Sequence, residues 1–188
     1  IDITDIVLST IYSKVELSRE IAYERDHIYL SIPEIKVDEH NYLVSNDSLH
    51  VNFKELLLSQ PKLEIYRDKS RLEDFTNKPL YGKLLQKLPF KVAIDSVFIE
   101  KGAIVYEENI PNNVKAGALS FENLDAEITN LSNKTNVEEP VQIQLNADLM
   151  GTGKFHLNWQ FDVYDPRSTF LISGGLSNFN TSSLNDFL

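Results

Sequence analysis

The chain's 188 residues suffice for one domain with a sizeable core or for part of an elongated protein, and 42% hydrophobic with 24% charged residues excludes bulk disorder. Its 28 acidic residues against 18 basic ones give a net charge of −10, a field that repels nucleic acid and anionic bilayer surfaces alike. Cysteine is absent, which excludes disulfides, thiolate metal sites and thiol nucleophiles, and no apolar run approaches the roughly 20 residues of a spanning helix.

In chain order, the stretch from Ile3 to Ala22 is apolar and partly alternating (Ile6, Leu8, Thr10, Tyr12), which predicts strands. Ile28, Leu30 and Ile32 share a parity that Pro33 interrupts; Ile35 and Val37 carry the apolar residues on the other parity, so a bulge or an edge position belongs near Pro33. Leu49, Val51 and Phe53, then Leu63 and Ile65, read as further strands, and the polar run from Arg67 to Lys78 as a loop. Leu80, Tyr81, Leu84, Leu85 and Leu88 fall at helical spacing, with Pro79 in the first turn and Pro89 as terminator, which predicts one short helix near 79–88. Phe90, Val92 and Ile94 then alternate up to Asp95-Ser96, after which Val97 and Ile99 change parity. A loop is expected over Glu107–Lys115, and a second switch separates Leu119 and Phe121 from Leu124, Ala126 and Ile128. Such switches mean bent strands in a curved sheet.

The strictest pattern lies between Val141 and Val163. Val141, Ile143, Leu145, Ala147 and Leu149 alternate with Gln142, Gln144, Asn146 and Asp148; after Met150-Gly151-Thr152-Gly153, Phe155, Leu157, Trp159, Phe161 and Val163 alternate with His156, Asn158, Gln160 and Asp162. This is a long antiparallel hairpin with one apolar and one wet face. Phe170, Ile172 and Leu176 close the series around Gly174-Gly175. Ser183-Leu184-Asn185-Asp186 has the form of a capping box opening a helix near 183–188. A helix cut after one turn, in a chain that starts at Ile1, leads us to expect a fragment of a longer protein, with 1–188 as a single domain. The fold class is mainly β, a long curved antiparallel meander sheet, either groove-like or a sandwich.

Few residues invite chemistry. His27, His40, His50 and His156 have no ligand spacing, so solvent-facing histidines are expected and no metal. The acid pairs Glu107-Glu108 and Glu138-Glu139 fall in expected loops where nothing positions them as catalysts. No nucleophile elbow accompanies the serines, and Gly151-Thr152-Gly153 lacks the phosphate-loop pattern and reads as a turn. Asn130, Asn133 and Asn180 open glycosylation acceptor patterns that matter only in a eukaryotic secretory setting. We therefore expect no enzyme and no cofactor. The general expectation for the apolar face is packing on a second sheet or on the helix near Leu84; the sharper one is that part of it stays open as a groove for acyl chains.

Three stretches resemble the AsmA-like and TamB-like envelope proteins of Gram-negative bacteria, in their Bacteroidetes form. Leu88 to Tyr106 resembles the family's helix-ending Leu-Pro, its strand with a central Ile-Asp-x-Val-x-Ile (Ile94, Asp95, Val97, Ile99), its Gly turn (Gly102) and its strand ending in Tyr (Tyr106). Leu119 to Leu131 resembles the family's Leu-x-Phe-x-Asn-Leu-x-Ala-x-Ile-x-Asn-Leu strand. Between Gly151 and Leu188, Gly153, Trp159, Phe161-Asp162, Phe170, Leu176 and Leu184-Asn185 stand where the family has similar markers. The resemblance covers roughly 79–188. It implies a periplasmic, repeating β-groove, membrane-tethered through parts of the parent protein outside this chain, that takes part in outer-membrane biogenesis by guiding phospholipid. The expected lipid-facing residues are Ile143, Leu145, Leu149, Phe155, Leu157, Trp159 and Phe161. The alternative is a closed β-sandwich serving as a structural or protein-interaction module of the envelope.

Overall fold

Local sequence decides most of the elements of the computed structural model, which describes residues 1–188 except 46, 47, 77, 112–114, 136–138, 185, 186 and 188. Nine strands form one sheet: β1 (Asp2–Ser9), β2 (Asp26–Ser45), β3 (Ser48–Ser59), β4 (Lys62–Asp68), β5 (Lys91–Asn109), β6 (Gly117–Ser132), β7 (Val141–Leu149), β8 (Gly153–Phe161) and β9 (Phe170–Ser177). Their order across the sheet is β1-β2-β3-β5-β6-β7-β8-β9, with β4 continuing the line of β3 between β2 and β5. The fold is thus mainly β and mostly antiparallel, as the alternation predicts. One detail departs from a meander: β3 and β4 both pair with β5 in parallel, because the segment 69–90 carries the chain from the end of β4 back to the start of β5. Glu107 and Glu108 belong to β5 rather than to a loop, and Gly102 is a bend inside that strand rather than a turn.

Two short helices flank the sheet. The N-terminal stretch expected as strands splits in two, with β1 followed by α1 (Lys14–Glu20). Ser13 caps α1 through a capping box: its Oγ accepts from the Glu16 N–H at 3.3 Å, and Glu16 Oε2 accepts from the Ser13 N–H at 3.0 Å. Only Leu17 of this helix is buried. Helix α2 (Tyr81–Gln86) matches the predicted one, with Leu80 at the N-cap and Pro79 therefore just before the helix rather than in its first turn. At the other end the expected box at Ser183 overlaps a 3-10 turn over Thr181–Leu184, entered through Asn180, whose Oδ1 accepts from the Ser182 N–H at 3.1 Å. Asn185 and Asp186 of that expectation, and Glu138 of the second acid pair, lie outside the described residues.

The parity switches have a common geometric cause. Asp5 (φ 57°) stands opposite Pro33, Pro33 opposite Gln60 (φ 52°), Gln60 level with Lys101 (φ 52°), and Lys101-Gly102 opposite Asn123 (φ 48°) and Leu124. One crease therefore crosses β1 to β6 at a single height. A second runs through Glu39 (φ 38°), Lys54, Asp95 and Asn130 (φ 60°). Left-handed residues stand on both creases, Asp5, Gln60, Lys101 and Asn123 on the first and Glu39 and Asn130 on the second, and the side chains on the two sides of a crease exchange faces; the pairing shifts register only at the first, around Gly102 and Asn123. The backbone groups freed at the first crease are re-bonded: Lys101 N–H donates to Asp125 Oδ1 at 2.9 Å and Gln60 N–H to the Glu100 carbonyl at 2.8 Å. Neither line continues through β7 and β8, where the sequence alternates without a break.

Candidate functional site

Because each crease swaps parity where the sequence does, apolar residues stay on one face of the sheet, here called inner. Lateral pairing then lines them up in rows. One row runs Ile3–Ile35–Leu58–Ile99–Ala126–Leu145–Leu157–Gly174 across eight strands. The next runs Val37–Leu56–Val97–Ile128–Ile143–Trp159–Ile172, and on the far side of the first crease lies Leu8–Leu30–Leu63–Ile104–Phe121–Leu149–Gly153. The outer-face row between the first two, Lys36–Leu57–Phe98–Glu127–Gln144–Asn158–Ser173, is polar except at Leu57 and Phe98. Among the described residues no second sheet covers the inner rows. The accessible surface, 12326 Å², exceeds by about a third the roughly 9,200 Å² expected of a compact monomer of this mass.

All seven expected residues lie on this inner face. Ile143, Leu145, Phe155, Leu157 and Trp159 are half-buried, whereas Leu149 and Phe161 are buried. The two sealed positions sit near the ends. At one end α2 lies over the sheet, where Val141, Phe161 and Val163 form a buried cluster with Leu85. Tyr81 meets Trp159 edge-to-face, ring centroids 5.0 Å apart, and the Gln86 amide donates to the Val163 carbonyl. Asn133 pins this end. It is fully enclosed; its Oδ1 accepts from the Val92 N–H at 2.8 Å, and its Nδ2 donates to the carbonyls of Phe90 at 2.8 Å and Leu85 at 3.1 Å. The glycosylation pattern at Asn133 is thus spent on structure.

Between α2 and the sheet remains an apolar cleft of about 390 Å³ lined by Leu84, Leu85, Leu88, Ile128, Ile143 and Trp159 among others, with a smaller one of about 240 Å³ beside it toward Phe170. Trp159 Nε1 is buried with no acceptor among the described residues, ringed instead by Tyr81, Phe161 and Phe170. At the opposite end Phe179 packs against Gly153, and Phe187 reaches the ring of Tyr106 at 6.1 Å. A charged row, Asp26–Arg67–Glu108, edges the face there; Arg67 forks onto Asp26 at 2.7 and 2.8 Å, and the Tyr106 hydroxyl donates to Glu108 at 2.5 Å.

Burial, and next the Glu108 carboxylate that its hydroxyl bonds, push the Tyr106 phenol up to about 12. The neutral form is the favoured one, so the stability it contributes is present below about pH 10 and is lost as pH rises through 12. Of the eight tyrosines, Tyr106 should ionise among the last in an alkaline absorbance titration, and Tyr106→Phe should remove that late step; a titration in which the variant loses an early step instead would contradict the geometry.

The contributions of β1 to β5 to the rows, and of Tyr81 to the cleft, escaped the residue-by-residue expectation. Their signal was the parity switch, which marks a shared crease once neighbouring strands are aligned. Among the described residues no cluster of His, Asp or Glu could hold a metal, and no helix is long and apolar enough to cross a membrane. The fold and this face together define a mainly-β protein built as one open, creased sheet with a continuous apolar side. No protein-family model matches the chain, and no curated protein matches it significantly.

Proposed function

We propose that the chain is a non-catalytic β-groove segment of the bacterial cell envelope, periplasmic and tethered through other parts of its parent protein, that holds phospholipid acyl chains on its inner face during lipid transport. The observation that carries this reading is the set of apolar rows crossing the sheet, over which the described residues place α2 at one end and no second sheet. Apolar surface on that scale is seldom left to water on a monomer and marks an interaction site. The half-buried middle of β7 and β8, Leu145, Phe155 and Leu157, serves as the floor of the groove, and the apolar cleft under α2 lies at one end of it. The polar alternation on the outer side of β7 and β8 fits a surface that stays in water. The resemblance to AsmA-like proteins points the same way. The sandwich alternative needs a second layer, which the described residues do not supply.

Trp159, the single tryptophan, stands at the cleft and reports occupancy directly. Vesicles of the zwitterionic lipids phosphatidylethanolamine and phosphatidylcholine added to the purified chain should change its fluorescence, and native mass spectrometry should find co-purified phospholipid. Leu157→Asp should abolish both signals while far-UV circular dichroism stays sheet-like. A wild-type chain without bound lipid, whose tryptophan ignores the vesicles, would sink the reading.

A further inference from the structure

The two edges of the sheet are built differently. Edge strands normally carry charge, proline, a bulge or a cover, because an open row of N–H and C=O groups recruits other strands. The β1 edge is guarded in this way: Asp2 and Asp5 stand in the strand, and Asp5 kinks it. Beyond the residues that pair with β1, β2 carries Asp38-Glu39-His40, again kinked at Glu39. The β9 edge has no such device. Residues Phe170 to Ser177 include no charge, no proline and no left-handed residue, and among the described residues their only strand partner is β8. Phe170, Leu171, Ile172 and Leu176 are all exposed, Leu171 on the outer face and the others on the inner.

We infer that β9 is an interface edge and that its occupant is β9 of a second copy, antiparallel about a two-fold axis at Ser173. The strand's sequence fits itself in this register. Ile172 falls opposite Gly174 of the second copy and Leu171 opposite Gly175, so bulky residues meet small ones on both faces, while Phe170 pairs with Leu176. No like charges are brought together. The inner row ending Trp159–Ile172 continues into Gly174 and Leu157 of the second copy, joining the two apolar faces. The guarded β1 edge stops further addition, so the product is a closed dimer rather than a fibre. The inference stands whether or not the face carries lipid.

Light scattering on a sizing column at micromolar concentration should give twice the 21.5 kDa chain mass. Ile172→Lys should return it to one chain, and Val7→Lys on the other edge should leave it doubled. Because the chain has no cysteine, Ser173→Cys gives a second readout that needs no charge in the strand. On the axis, facing Cα atoms lie about 4.5–5.5 Å apart, within disulfide reach, so oxidation should yield a covalent dimer that Val7→Cys does not. A single-chain mass for the wild type, a doubled mass that survives Ile172→Lys, open-ended oligomers, or no crosslink at residue 173 would each overturn the inference.

Discussion

Asn133→Ala should lower the unfolding free energy by about 3 kcal/mol and release α2 from the sheet. The size follows from what the side chain leaves behind: the Val92 N–H, deep in the sheet, loses its acceptor, and the carbonyls of Leu85 and Phe90 lose a shared donor. Each buried group stranded in this way costs about 1–3 kcal/mol. Asn133→Asp keeps the shape and the acceptor for Val92 but turns an oxygen toward two carbonyl oxygens. At neutral pH it should cost at least as much as the alanine change. It should recover part of the loss as pH falls, since a carboxyl so placed is raised above its unfolded value and donates once protonated. Urea melts at pH 7 and pH 5 measure both. Equal stability of the two variants at both pH values would mean that the bonds to Leu85 and Phe90 matter little.

Gly174→Ala should cost about 1–3 kcal/mol and loosen β9 first. A Cβ at Gly174 would lie 2.5 Å from the His156 carbonyl oxygen, a backbone atom of the neighbouring strand that cannot swing away as a side-chain tip can. The clash can be relieved only by moving β9 away from β8, which lengthens the ladder from Phe161–Phe170 to Lys154–Ser177. Hydrogen exchange should therefore show lost protection along β9 and the facing amides of β8, with β5 and β6 unchanged. Uniform loss across the sheet would place the fault elsewhere.

The β7–β8 hairpin was legible in the sequence because no crease crosses it: one parity holds from Val141 to Phe161, so each residue's face follows from its number. In β5 and β6 the same signal was present but broken at Asp95 and Asn123, and it became a continuous face only when adjacent strands were laid side by side. Helix α1 was lost for a different reason. With Leu17 as its one buried residue it has no apolar period, and its one sequence signal, the Ser13–Glu16 cap, follows directly on the alternation of β1. The parallel pairing of β3 and β4 with β5 has no local marker at all, since a strand's residues look alike whichever way its neighbour runs. The inner face was foreseen at its β7–β8 floor, and α2 was placed, but its clamp through Asn133 joins positions about 40 residues apart that no short-range pattern connects.

The two creases impose a counting rule on the chain. Between Asn123 and Asn130 the side chains keep a phase of their own, restored at either margin by a residue whose backbone turns the other way. Removing one residue from such a margin would rotate Leu124, Ala126 and Ile128 toward water all at once, opening a gap in two of the apolar rows and at the crease beside them that the neighbouring strands could not mend. Exchanging one of those side chains for another of its kind disturbs a single contact. This stretch therefore accepts a change of side chain far more readily than a change of length.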